Sequence, residues 1–156
     1  MRILGIDPGY DRLGLAIIDQ EKSSIILIHS ECFIPKEKTL PGRLKEVGKR
    51  IEEVIKKWRP DNFAIETLFF SKNQKTALAV SAVRGVIIYE GAKAALPLFE
   101  YSPNEIKLTV GGWGRSDKKQ VANMVQRLVK IDKKIIYDDE YDAIAVALTK
   151  AARKNL

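Results

Sequence analysis

Three strand-like stretches, residues 2–7, 13–19 and 24–33, follow one another before any helical periodicity begins. That order constrains the fold more than any other feature. The polar turn Asp19-Gln20-Glu21-Lys22 separates the second stretch from the third, which predicts an antiparallel meander. Leu40, Leu44, Val47, Ile51, Val54, Ile55 and Trp58 then recur at three- and four-residue spacing as far as Pro60, the pattern of an amphipathic helix. A fourth strand is expected at 62–67, an alanine-rich helix at 73–94 and a fifth strand at 97–101. Ser102-Pro103-Asn104-Glu105 reads as a capping box with proline at the first helical position. Gly111-Gly112-Trp113-Gly114 breaks the pattern, Ser116 can cap a helix over 117–130, and a last helix is expected at 139–153. Strands first, then alternating helices and strands, predict an α/β fold with a mixed five-stranded sheet flanked by helices. The 156 residues show no repeat and no linker, so a single domain over 1–156 is expected.

Composition narrows the chemistry. With one cysteine, Cys32, and one histidine, His29, the chain has neither an internal disulfide nor the ligands of a Cys- or His-rich zinc site. Carboxylates are the catalytic groups left. Lysine and arginine outnumber the acids 27 to 20, and a net charge of +7 on a small domain points to a polyanionic partner, nucleic acid foremost. No apolar run approaches the roughly 20 residues of a membrane span. The opening residues lack the long apolar stretch of a signal peptide, so a cytoplasmic protein with no membrane partner is expected.

In so basic a chain the acids are informative. Asp7 ends the first strand where Pro8 and Gly9 force a turn, which would stand its carboxylate at the end of the sheet. Glu66 follows Phe63-Ala64-Ile65 in the same way. Asp138, Asp139, Glu140 and Asp142 crowd into five positions, and Asp139 and Asp142, three apart on the last helix, share a face. Asp138 and Glu140 read more simply as first-turn acids facing the helix dipole. Asp7, Glu66, Asp139 and Asp142 could therefore converge from three elements. Their repulsion would be relieved by Mg²⁺ or Mn²⁺, hard cations that take oxygen ligands. Two such ions per site can serve phosphodiester hydrolysis without histidine.

The stretch Ile3-Leu4-Gly5-Ile6-Asp7-Pro8-Gly9, then Ala64-Ile65-Glu66 with Phe69, Lys72 and Asn73, then Arg84-Gly85-Val86, resembles the RuvC family of crossover junction endodeoxyribonucleases. Tyr101-Ser102-Pro103 with Lys107, the run from Gly112 to Val121, and Asp139-Glu140-Tyr141-Asp142-Ala143 continue the likeness in order along the chain. The resemblance implies an RNase H-like fold and a homodimer that resolves four-way DNA (Holliday) junctions in recombination and repair by paired symmetric nicks. A branch-migration helicase complex is a further partner it suggests. By motif position, Asp7, Glu66, Asp139 and Asp142 would be the catalytic metal-binding acids and Lys107 and Lys118 the active-site lysines. Phe69 would stack on an unpaired base. Lys72, Lys75, Arg84, Arg115 and Lys119 are candidate phosphate contacts. Phe70 reads as a core residue, and Trp113 fits DNA contact and core packing equally.

Other readings compete. An RNase H-like nuclease acting on RNA would share the first turn. A non-catalytic junction-binding protein would have no reason to aim four acids at DNA. An actin-like ATPase or sugar kinase would carry a similar first phosphate motif, but needs two domains that 156 residues do not accommodate. The helix at 73–94, with Ala77, Ala79, Ala82 and Gly85, could pack on its own sheet or on its copy in a dimer.

Overall fold

The computed structural model describes residues 1–22, 24–68, 74–112, 114 and 117–153. The element order is β1 (Arg2–Asp7), β2 (Leu13–Glu21), β3 (Ser24–Phe33), α1 (Leu40–Trp58), β4 (Asn62–Glu66), α2 (Gln74–Lys93), β5 (Leu98–Tyr101), α3 (Pro103–Gly111), α4 (Lys118–Leu128) and α5 (Asp138–Ala152). One mixed sheet runs in the order β3-β2-β1-β4-β5. The first three strands pair antiparallel, whereas β1–β4 and β4–β5 are parallel.

Pleat alternation sorts each strand between two helical layers. Leu4, Ile6, Leu13, Leu15, Ile17, Phe63 and Ile65 face α1 and α2, where they meet Val47, Ile51, Val54, Val83 and Ile87. Ile3, Ala16, Ile18 and Ala64 face the other way, onto α5, with Ile106 of α3 and Val121 of α4 behind it. Helix α5 lies close against the sheet because glycines let it. A Cβ on Gly5 would sit 2.4 Å from the Ala143 carbonyl oxygen, and one on Gly14 would sit 2.0 Å from that of Asp139. Either methyl would displace α5 from the strands.

Local signals explain most helix ends. In α1 the Thr39 side chain accepts from the Gly42 N–H, and Arg59 closes the helix in the left-handed region (φ 47°) just before Pro60. The expected capping box at α3 is present: the Ser102 side chain accepts from the Glu105 N–H, and the Glu105 carboxylate accepts from the Ser102 N–H at 2.8 Å. Two expectations need correction. Helix α4 is capped by Asp117 rather than Ser116, because Asp117 forms its own capping box with Gln120. And Asp19, Gln20 and Glu21 belong to β2, with Lys22 (φ 38°) turning the chain. Asp19 is held in the strand by the guanidinium of Arg2 at 2.7 and 2.8 Å, so its polarity marks a cross-strand pair. Among the described residues, no helix is long and apolar enough to cross a membrane.

Candidate active site

The pleat also places the first two acids. Asp7 continues the row of Ile3 and Gly5, and Glu66 continues the row of Asn62 and Ala64, so both side chains stand on the α5 side of the sheet. The parallel register, with Ile6 opposite Ile65, sets Asp7 beside Glu66 at the carboxyl ends of neighbouring strands. Asp142 arrives from the first turns of α5. These three carboxylates line a cleft of about 330 Å³ together with Pro103, Ile106, Lys107, Lys118 and Val121.

Their electrostatics are unfavourable by construction. Burial raises the Asp7 carboxyl well above the usual carboxylate range, and Glu66, Asp142 and Asp139 push it further, against a smaller opposing pull from Lys118. Glu66 is raised by burial and by Asp142, and a hydrogen bond from Asp7 partly offsets this. Burial and mutual repulsion thus disfavour full ionisation of the two strand-end acids together. Asp142 is raised chiefly by burial, with Lys118 opposing.

Lys118 is the cation already in the cleft. Its ammonium donates to Asp138 at 2.9 Å and to Asp142 at 3.3 Å, and these partners raise its pKa against the effect of burial. The lysine side chain is 71% exposed, so the contact contributes only about 0–1 kcal/mol and is readily exchanged for another. Lys107 lines the same cleft from α3.

Asp139 stands slightly apart. Its carboxylate takes the Arg12 guanidinium at 3.2 Å and lies 4.0 Å from Cys32 Sγ, while Arg12 also stacks over the Tyr137 ring. Burial and the nearby Asp139 charge raise the Cys32 thiol to about 11, leaving it a neutral neighbour. Arg12 and Cys32 carry no motif; their part is visible only in three dimensions. Asp138 is exposed and pairs with Lys118, in keeping with a solvated first-turn acid. Glu140 is not solvated, contrary to the dipole reading. It is buried, taking Ser30 Oγ at 2.9 Å and the Lys133 ammonium.

The candidate phosphate contacts divide. Lys119 is exposed on α4. Arg84 is turned inward, donating to Glu100 and at 3.4 Å to the Glu66 carbonyl, so it ties α2 to the ends of β4 and β5. Lys75 lies in α2, but its side chain falls outside the described residues, as do Phe69, Phe70, Lys72, Trp113, Arg115 and Ser116.

Among the described residues no three His, Cys, Asp or Glu side chains are gathered tightly enough to grip one ion. The donor set nevertheless suits Mg²⁺ or Mn²⁺: Asp7, Glu66 and Asp142 offer only hard oxygens, brought together in one cleft.

A mixed five-stranded sheet with acids at the ends of its two central parallel strands and on the helix laid across them is an RNase H-like nuclease architecture. The yeast mitochondrial Holliday junction resolvase Ydc2 shares the fold, with a TM-score of 0.69 at 14% identity over 96% of this chain and 78% of that one. Residues 3–150 match the family described as crossover junction endodeoxyribonuclease RuvC, and the chain belongs to that family. A RuvC from Thermosipho melanesiensis is 42% identical over 148 residues, 94% of each chain. Thermus thermophilus RuvC, solved in complex with Holliday junction substrate, superposes with a TM-score of 0.88 at 30% identity, covering 97% of this chain and 93% of that one.

Proposed function

We propose that this protein resolves Holliday junctions by cutting two strands symmetrically, through divalent-metal-assisted phosphodiester hydrolysis in the Asp7/Glu66/Asp142 cleft. The observation that carries the reading is the convergence of three acids in one cleft, displaced from their ordinary pKa values by burial and the charge of neighbouring acids, in a chain of net charge +7. A structure-reading DNA binder without catalysis has no use for such a cluster.

Asp7, Glu66 and Asp142, joined by Asp139, would hold one or two Mg²⁺ or Mn²⁺ ions, which supply water activation and charge stabilisation at the scissile phosphate. The chain's own groups do the rest. Asp7 and Glu66, side by side at the strand ends, would present their carboxylate oxygens to the ions. Lys107 and the exposed, weakly held Lys118 stand over the cleft, where ammonium groups offset the charge growing on the phosphoryl oxygens. Water oxygen attacks phosphorus, the bond to the leaving sugar oxygen breaks, and a proton returns to that oxygen. Phe69 would stack on an unpaired base at the crossover, contributing roughly 1–3 kcal/mol, and Lys72, Lys75, Arg115 and Lys119 would meet phosphates.

Two symmetric nicks need two sites, and α2 offers a face for a second copy. Val83 and Ile87 are buried on the parent sheet, while Leu78 is 76% and Tyr89 63% exposed on the far side, with open space over Gly85 between them. The sheet and the proposed homodimer therefore use opposite faces of one helix. Tyr89→Glu should dissociate the dimer in sedimentation and unpair the nicks.

The deciding experiment compares a four-way DNA junction, linear duplex and an RNA–DNA hybrid in Mg²⁺. Paired, symmetric nicking of the junction with duplex largely intact is expected. Equal rates on duplex, or preferred cutting of the hybrid, would overturn the reading.

A further inference from the structure

Helix α5 carries two of the proposed acids on its first turns, yet its own N-terminus is poorly secured. Tyr137, at the N-cap, makes no side-chain capping bond, and Asp138, Asp139 and Glu140 follow it directly. An uncapped first turn leaves backbone N–H groups without local partners and frays readily. A loose first turn would blur the position of every carboxylate it carries.

Tertiary contacts from outside the acid set take the place of the cap. Glu140, between Asp139 and Asp142 in sequence, projects away from the cleft toward edge strand β3. Its side chain is 9% exposed. Its carboxylate accepts from Ser30 Oγ at 2.9 Å and pairs with the Lys133 ammonium, which also donates to the Ser30 carbonyl at 2.5 Å. The three residues close a ring joining β3, the loop before α5 and the first turn of α5. On the neighbouring face Gln126 Nε2 donates to the Tyr141 hydroxyl at 2.6 Å, and Gly14 admits the Asp139 carbonyl. A charge so enclosed is geometrically strict: moving it means separating it from both partners at once.

We propose that Glu140 is a positioning residue for the cleavage reaction: through Ser30 and Lys133 it holds the first turn of α5 so that Asp139 and Asp142 keep the spacing a divalent ion needs. The inference rests on reading Asp139 and Asp142 as site acids.

The test uses the full chain carrying Glu140→Gln, with Lys133→Met as a second variant that opens the ring from its other side should the first fold poorly. Mn²⁺ affinity is measured by calorimetry without DNA, amide hydrogen exchange is followed at residues 138–142, and kcat and KM for junction cleavage are taken across a Mg²⁺ titration. The expected result is a roughly 10–100-fold loss of Mn²⁺ affinity. A matching rise in the Mg²⁺ needed for half-maximal kcat, an unchanged KM for junction, and faster exchange confined to the first turn should accompany it. Asp19→Asn, which breaks the Arg2 ion pair at the opposite end of β1 from Asp7, is the control for lost stability alone and should leave Mn²⁺ affinity untouched. If both ring variants melt lower while Mn²⁺ affinity and first-turn exchange stay as in the parent, Glu140 is merely structural and the proposal falls. If instead Asp142→Asn fails to weaken Mn²⁺, the assignment of the acids fails, a result distinct from any change at Glu140.

Discussion

Two groups of acids on opposite faces of one sheet have opposite histories. On the α1 side, Glu31 of β3 meets Arg50 head-on, with guanidinium nitrogens at 2.6 and 2.8 Å, and despite the burial that opposes it His29 and Arg50 draw its carboxyl down to about 2. On the α5 side, Asp7, Glu66 and Asp142 line one cleft, and burial, with the charge of neighbouring acids, draws all three upward. Residue type and depth are comparable; the partner differs. An acid gripped by an arginine is part of the scaffold, whereas these acids crowd one another with only an exposed lysine, Lys118, reaching Asp142.

The largest effect that can break this contrast is on cleavage. Asp7→Asn or Glu66→Gln should reduce Mg²⁺-dependent junction cutting by more than the roughly 10–100-fold typical of lost outer partners, with junction binding in gel shift retained. Near-parental rates in both would dissolve the acid cleft as a site. Glu31→Gln should do the reverse, keeping cleavage while lowering unfolding free energy in urea by about 1–3 kcal/mol, because the half-buried Arg50 keeps only the more exposed Glu53 as an anion.

The pH dependence of melting sharpens the same contrast. Glu31, lowered from 4.5 to about 2, contributes stability that is present above pH 4.5 and is lost as pH falls toward 2. Asp7 works with the other sign. Unfolded it ionises near 3.8, folded at higher pH, so between those points the native state binds more protons and stability falls as pH rises. Metal-free Asp7→Asn should therefore melt higher than the parent at neutral pH, by about 2–4 °C for each kcal/mol relieved, and lose the descending limb of the profile. A lower melting temperature would show that Asp7 is supported rather than strained. The smallest effect is the ion's own. Mg²⁺ at ten times its dissociation constant should stabilise the parent by about 1.4 kcal/mol and Asp7→Asn by much less.

The two groups were also unequally legible. Asp7 and Glu66 could be placed from sequence because a strand followed by a turn leaves its last side chain at an edge, and alternation from Gly5 and Ala64 fixes the face. Asp142 followed from helical spacing. The destination of Glu140 could not be read, since Ser30 is 110 positions away and nothing local distinguishes a dipole acid from a buried one. The partners of Arg84 were hidden for a related reason: nothing local in a basic chain tells that the ends of β4 and β5 supply an arginine with acceptors. Asp139's engagement with Arg12 likewise depends on how closely α5 settles against Gly14.

The edges of the sheet carry one more consequence. Strand β5 is only four residues long, and β3 is interrupted in register opposite Ile17 and Ile18, with Lys133 spent on one of its carbonyls. With β5 this short and the ten-residue β3 broken by its register shift, neither margin presents an unbroken flat row of amides to template strand addition. The sheet margins are thus poor places for another chain to add a strand. For a chain with apolar residues as exposed as Leu78 and Ile136, these guarded margins act against fibre growth through the sheet edges, and aggregates formed on heating should lack a cross-β signature.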